Sequence, residues 1–280
     1  MQKNGRTEST IYTAIQKLST LATRCNILEP EQVKSYLATS QQKNSSKQNI
    51  ASLYTTFLQY KGLKWQPPHY TIESSIPFIP MEKEIDEMIA GMSKTISTFL
   101  QLMKETGARG IEAHRTQWID VDPERRTIYI RAAKGSNSRI LPISPKLLGM
   151  INSLPKTTPT LFNGKLKRMR ANFNRQRTAL ANKLDNPRLM QIHLHTLRHF
   201  KGTMEYHKTK DIIHVKTVLG HKDIESTMIY INIEQALFLE QSDEYTSKAA
   251  KNAEEAMTLI ESGFQYVQTI EGLHIYRKRK

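Results

Sequence analysis

Apolar residues recur at three- and four-residue steps along most of this chain, and at steps of two only in short stretches. Residues 8–24 place Ile11, Ile15, Leu18, Leu21 and Ala22 on one stripe and predict a helix. Glu29-Pro30-Glu31 suits a first helical turn and leads into Val33 and Leu37. Residues 39–48 are polar throughout and read as a loop, and 49–61 predict another helix through Ile50, Leu53, Tyr54 and Leu58. Pro67-Pro68, Pro77 and Pro80 then interrupt helical periodicity and favour an extended linker. A small helical domain over 1–66 and a linker over 67–80 follow from this pattern.

Beyond Pro80, Glu82-Lys83-Glu84 opens an acidic first turn ahead of Ile85, Met88 and Ile89. A second helix over 93–106 carries Ile96, Phe99, Leu100 and Met103 and stops at Thr106-Gly107, and 111–122 form a short helix and turn around Trp118. The period then switches to two. Residues 127–131 and 139–143 predict a β-hairpin turning at Lys134-Gly135-Ser136-Asn137. Helical spacing returns over 161–183, where Leu166, Met169, Phe173 and Leu180 repeat. It continues from His195, through a helix that stops at Gly220 and one that Asp223 caps, to Tyr230. Helices are expected over 234–240 and 247–261, the latter rich in alanine and ended by Gly263. Phe264 to Val267 and Leu273 to Tyr276 read as a small hairpin, and Arg277-Lys278-Arg279-Lys280 as a frayed tail. The fold class expected is mainly α with a small antiparallel β-sheet: a helical domain, an α+β domain over 81–240, and a tail over 241–280.

Charge adds a partner to this picture. The 280 residues hold 41 Lys and Arg against 26 Asp and Glu, a net charge of +15. So large an imbalance favours a polyanion, and nucleic acid ahead of a membrane surface, because no long apolar run or lipidation signal is present. Residues 241–280 carry six of each sign, so the excess lies ahead of them. Lys165, Lys167, Arg168, Arg170, Arg175 and Arg177, interleaved with Asn172, give the 161–183 helix a basic side suited to phosphates and base edges. A single cysteine, Cys25, excludes an intramolecular disulfide and a cysteine-based zinc site. No apolar signal segment opens the chain, and a cytoplasmic protein is expected.

The candidate chemistry is a set of polar residues in fixed order. It runs Thr106-Gly-x-Arg109-x-x-Glu112, Lys134 in the hairpin turn, His195-x-x-Arg198, Leu219-Gly220-His221, and Tyr230 nine residues on. A tyrosine hydroxyl, fixed cations and imidazoles are what phosphodiester chemistry at a tyrosine requires. His193, His195 and His199 cluster at a helix start, but they lack carboxylates at matching spacing, so no metal site is expected.

On these residues the chain resembles the tyrosine recombinase (phage integrase) family over about residues 80–235. Gly263-Phe264-x-Tyr266-Val267, Gly272-Leu273 and the basic end look like archaeal members, including viral and plasmid integrases. The resemblance implies a helical core-binding clamp in front of a tyrosine recombinase catalytic domain. It implies that Tyr230 attacks a DNA phosphate to give a 3′-phosphotyrosyl link. Arg109 and Arg198 would hold the non-bridging oxygens, Lys134 would protonate the leaving 5′-oxygen, His195 would move a proton with Tyr230, and His221 would bond the phosphate. It implies no cofactor, and a homo-tetramer acting on specific DNA sites. Glu112 and Trp118 are expected to support Arg109. His114 and Thr116 depart from the family's apolar pattern. A type IB topoisomerase and a DNA-binding regulator without catalysis are the alternative readings.

Overall fold

The computed structural model describes residues 5–72, 76–133, 135–238, 245–270 and 272–279. The chain divides into two compact units, Met1–Ser75 and Ile76–Lys280, and the division falls inside the proline-containing stretch.

The first unit is built from α1 (Glu8–Ala22), α2 (Pro30–Thr39) and α3 (Asn44–Lys61). Thr7 caps α1 by accepting from the Thr10 N–H, and Pro30 stands in the first turn of α2, where no intrahelical N–H partner is needed. Leu21, Val33, Leu37, Ala51, Tyr54 and Leu58 form the core. The Tyr54 hydroxyl donates to the Ile27 carbonyl, and Trp65 packs edge-on against the Tyr54 ring at 4.6 Å. Residues 44–48, expected as loop, are instead the opening of α3. The first-turn N–H groups of a helix have no intrahelical partner, so polar residues are well accommodated there, while Ala51, Tyr54 and Leu58 bury the later turns.

The second unit runs α4 (Glu82–Gly91), α5 (Lys94–Thr106), α6 (Gly110–Arg115), β1 (Val121–Asp122), β2 (Thr127–Ile130), β3 (Arg139–Pro142) and α7 (Pro145–Asn152). It continues with α8 (Leu166–Lys183), α9 (Leu194–Thr209), α10 (Ile212–Leu219) and α11 (Glu225–Phe238). The strand pair β2–β3 is antiparallel, with Ile128 opposite Leu141, and β1 adds to the β2 edge. β1 and α7 were not anticipated from the sequence. Helix α5 sits at the centre of the core: Phe99, Leu100, Leu102 and Met103 are all buried, and Phe99 meets Phe162 edge to face at 5.1 Å. Alternation along β3 buries Arg139 and Leu141 and exposes Ile140.

The chain ends in β4 (Tyr245–Ala250), α12 (Ala253–Glu261), β5 (Gln265–Ile270) and β6 (Leu273–Arg279), with strand order β4-β6-β5. Two expectations are corrected here. Residues 247–250 are strand, not helix: pairing with β6 outweighs the helix propensity of alanine. Arg277 and Lys278 are not frayed, because their backbone lies in the central strand β6, and Lys278 Nζ donates to the Ser262 carbonyl.

Candidate active site

Two helix C-termini meet at the centre of the site. Helix α5 closes on Gly107 and α10 on Gly220, both in the left-handed conformation that glycine adopts without strain. A Cβ on Gly107 would lie 2.6 Å from Leu219 Cδ2, and one on Gly220 would lie 2.6 Å from the Asn137 carbonyl oxygen. Between these ends lies Arg198 of α9, 1% exposed, donating from Nη1 to the Gly107 carbonyl and from Nη2 to the Leu219 carbonyl, each at 2.7 Å. The carbonyls at helix C-termini carry partial negative charge, so a guanidinium is the fitting group to join them. Burial, with the Arg109 charge adding to it, lowers the Arg198 pKa to about 10, and the group stays charged at neutral pH. Among the described residues, two of its five N–H donors are engaged and three remain.

The Gly107 turn delivers Arg109, and the Gly220 turn delivers His221. Arg109 opens α6, and Glu112 reaches back to it: Oε2 accepts from the Arg109 backbone N–H at 3.0 Å and Oε1 from Nη1 at 3.1 Å. The same carboxylate accepts from Ser136 Oγ at 2.7 Å and from Arg139 Nη2 at 3.0 Å. Burial pushes the Glu112 carboxyl up, but the Arg109 N–H, the Arg139 charge and the Ser136 hydroxyl together hold it below the ordinary carboxylate range. The hairpin is tied on its other side as well, by the Asn137 N–H to the Gly220 carbonyl at 2.9 Å. Lys134, expected in this turn, lies outside the described residues. Glu112 thus supports Arg109 directly. Trp118 does not touch that pair through its polar atom; its Nε1 donates to the Thr158 carbonyl.

His221 Nδ1 lies 2.9 Å from Thr227 Oγ1 on α11, which leaves Nε2 for a ligand. His195 and His199, one turn apart on α9, pack edge to face at 4.7 Å. Tyr230 of α11 seats its ring against Gly202, where a Cβ would come within 2.5 Å of Tyr230 Cζ. The phenol lies 3.4 Å from His199 Nδ1. Tyr230 is 1% exposed, and burial raises its pKa to about 12 against the lowering pull of Arg198 and Arg109. Burial also lowers His199 and His221 to about 4, reinforced at both by the Arg198 charge. His195, though an exposed residue, is lowered by the atoms crowding its imidazole and by Arg198 and Arg109. All three imidazoles are therefore neutral at pH 7. Sequence reasoning weighed His199 only within a possible metal cluster and gave it no place at the tyrosine, yet the signal was available: it follows Arg198 and stands four residues, one helical turn, from His195.

Helix α8 runs beside the site. Lys165, Lys167, Arg168, Arg170 and Arg175 are exposed and Asn172 is half-buried. Arg170 Nη2 lies 3.9 Å from where a Gly110 Cβ would stand. Arg170, Phe173, Asn174, His193, Leu194 and His195 line a cavity of about 260 Å³. Arg177 corrects the expectation of a DNA contact: it is 6% exposed, and its Nη1 donates to the Ile192 carbonyl at 2.6 Å and to His193 Nδ1 at 2.8 Å. A larger cavity, about 690 Å³, lies in the first unit against Ile15, Tyr36 and Ile50, with none of these catalytic candidates among its lining residues.

Residues 81–236 match the model of the phage integrase family, more than half of the chain, and the chain belongs to that family. Among curated relatives, tyrosine recombinase XerA of Pyrococcus horikoshii is 26% identical over 197 residues, covering 68% of this chain and 65% of that protein. Tyrosine recombinase XerA of Saccharolobus solfataricus is 24% identical over 181 residues, 63% of this chain and 60% of that one. The chain thus spans slightly under two thirds of these relatives. The fold matches Tn1549 transposon integrase in complex with transposon right end DNA (TM-score 0.63, 12% identity, covering 86% of this chain and 96% of that one). It also matches a lambda integrase dimer bound to a COC′ core site (TM-score 0.61, 13% identity, 81% and 89%).

The buried imidazoles set a pH dependence. His199 and His221 are held neutral in the fold to about pH 4, whereas unfolded histidine titrates near 6.5. Unfolding therefore takes up protons between these values, and their stability contribution is full above pH 6.5 and lost as pH falls toward 4. The urea midpoint is expected to fall steadily between pH 6.5 and 4.5, and His221→Asn is expected to flatten that slope. A wild-type midpoint constant over this window would contradict the buried neutral imidazoles.

Proposed function

We propose that this chain is a site-specific DNA recombinase that cuts and rejoins double-stranded DNA through a 3′-phosphotyrosyl intermediate. The observation that carries the reading is the gathering of His195, His221 and Tyr230 around the Arg109 and Arg198 guanidiniums, with Arg198 bridging the Gly107 and Leu219 carbonyls, in a chain of the phage integrase family.

In this reading the scissile phosphate docks against the partly exposed Arg109 guanidinium and the remaining donors of Arg198, with His221 Nε2 on a non-bridging oxygen. Charge building on those oxygens meets cations already fixed in place, and removing one such donor typically costs ~10²–10³ in rate. The Tyr230 oxygen bonds to phosphorus, the bond to the 5′-oxygen breaks, and that oxygen takes a proton from Lys134. The phenolic proton passes to a neutral imidazole, the role expected of His195; His199, whose Nδ1 lies 3.4 Å from the phenol and whose ring packs on His195, is the imidazole nearest to take it. The phosphotyrosyl bond keeps the bond energy for religation, so no nucleotide is consumed. The phenol and the Arg198 guanidinium are each 1% exposed and cannot meet a phosphate arriving from solvent, so DNA binding must be accompanied by movement of the Tyr230 ring away from Gly202 and by the uncovering of Arg198. Exposed cations on α8 grip the backbone beside the site, residues 1–66 act as a clamp on the duplex, and four copies act on two duplexes.

The test uses nicked suicide duplexes of randomised sequence, from which the wild type captures its own substrates as covalent adducts on a denaturing gel. Wild type is expected to form an adduct and Tyr230→Phe none. Binding without any adduct would favour the non-catalytic regulator. A monomer that relaxes supercoiled plasmid at any sequence would favour the topoisomerase.

Salt dependence tests the α8 surface. Replacing Arg168, Arg170 and Arg175 together by Ala is expected to shallow the log–log salt slope of DNA binding, by up to about 0.9 per lost phosphate contact. Arg177→Ala is expected to leave the slope unchanged while lowering the unfolding midpoint. An unchanged slope in the triple variant would remove α8 from the interface.

A further inference from the structure

Glu112 is a carboxylate with a fully buried side chain, and two guanidiniums meet it, Arg109 at 3.1 Å and Arg139 at 3.0 Å. They differ in where else they can go. The Arg109 side chain is a quarter exposed, and that of Arg139 is 5% exposed. Among the described residues, Arg139 Nη1 reaches only the Asn137 carbonyl, at 3.3 Å, and its Nε has no hydrogen-bond partner. Burying a guanidinium with an unmet N–H is costly, and removing one partner of a buried pair leaves the other charge uncompensated. A turn could be held by neutral groups, as Ser136 and Asn137 already hold this one.

Charge counting gives Arg139 a reason to be there. One buried carboxylate beside one guanidinium is a neutral pair, and Arg198 alone would be left to meet an anion. One carboxylate between two guanidiniums leaves one positive charge, and the solvent-facing member of the three is Arg109. We propose that Arg139 is a positioning residue that supplies the countercharge of Glu112 and so frees the charge of Arg109 for the scissile phosphate. Without Arg139, Arg109 becomes the main countercharge of Glu112 and its attraction for the phosphate falls. The geometry also explains why Arg139 sits on the inward face of β3: only there does its guanidinium reach a carboxylate anchored in α6.

The inference rests on Arg109 acting as the phosphate's cation, and the test separates the two claims. The probe is a captured nicked duplex made in two forms, with the natural scissile phosphodiester or with a methylphosphonate there, whose neutral methyl replaces one charged non-bridging oxygen. Arg139→Gln is expected to slow adduct formation on the phosphodiester by about 10²-fold, the scale of losing one transition-state donor. On the methylphosphonate, which carries no charge to neutralise, it is expected to match the wild type. Adding Glu112→Gln to Arg139→Gln removes the carboxylate charge while keeping an acceptor for the Arg109 N–H, and is expected to restore cleavage of the phosphodiester. Arg139→Lys, which keeps the charge, is expected to retain most of the rate. Recovery on the methylphosphonate also shows that the Gln variant is folded.

A wild-type rate for Arg139→Gln on the phosphodiester overturns the proposal. So does an equal defect on both substrates, or a double variant as slow as the single. Arg109→Gln is the control: if it is not slow on the phosphodiester, or is not relieved by the methylphosphonate, the assignment of Arg109 itself fails and the proposal with it.

Discussion

A single buried guanidinium holds the catalytic unit's two critical turns together. Arg198 donates to the last carbonyls of two helices that are far apart in sequence, at Gly107 and Leu219. Each helix end is followed at once by a candidate catalytic side chain, Arg109 after one and His221 after the other. The relative position of those side chains is therefore set chiefly by Arg198 and by the two left-handed glycines that let the backbones approach, with the hairpin between Glu112 and Gly220 as a second tie. A lysine is a single point charge and could not span both carbonyls, so arginine is required here by geometry as well as by charge.

The cations of the site are held in place without a ligand, although Arg198 is as covered as the tyrosine. Arg109 is fixed through Glu112, the hairpin is tied to Glu112 and to Gly220, and His221 is held by Thr227. Preorganised cations cost no rearrangement at the moment of reaction. Tyr230 is the opposite case: it is buried over Gly202, and its phenol is held protonated by burial. A phenol withheld in this way suits the proposed activity, in which it would act only once a substrate is bound.

Much of this was legible in the sequence because the chemistry is carried by spacing. His195 and Arg198 are three residues apart on a helix, and the glycines at 107 and 220 mark helix ends that sequence rules recognise. The errors came where one local signal competed with another. Arg177 was read with the basic run, although it stands four residues after Phe173 and three before Leu180, on the stripe that faces the core. Arg139 was passed over, although period two puts it on the face of Leu141. Alanines at 249 and 250 promised a helix, and pairing with β6 prevailed. No pattern along the chain indicated that one carboxylate, Glu112, would gather a helix start and a hairpin 24 and 27 residues on.

The most direct test of the account is the unfolding free energy of Arg198→Lys measured in urea. A lysine reaches one carbonyl and leaves the other buried without a charged donor, so a loss of about 1.5–3 kcal/mol is expected. A variant as stable as the wild type would mean that the two turns are held by something other than Arg198.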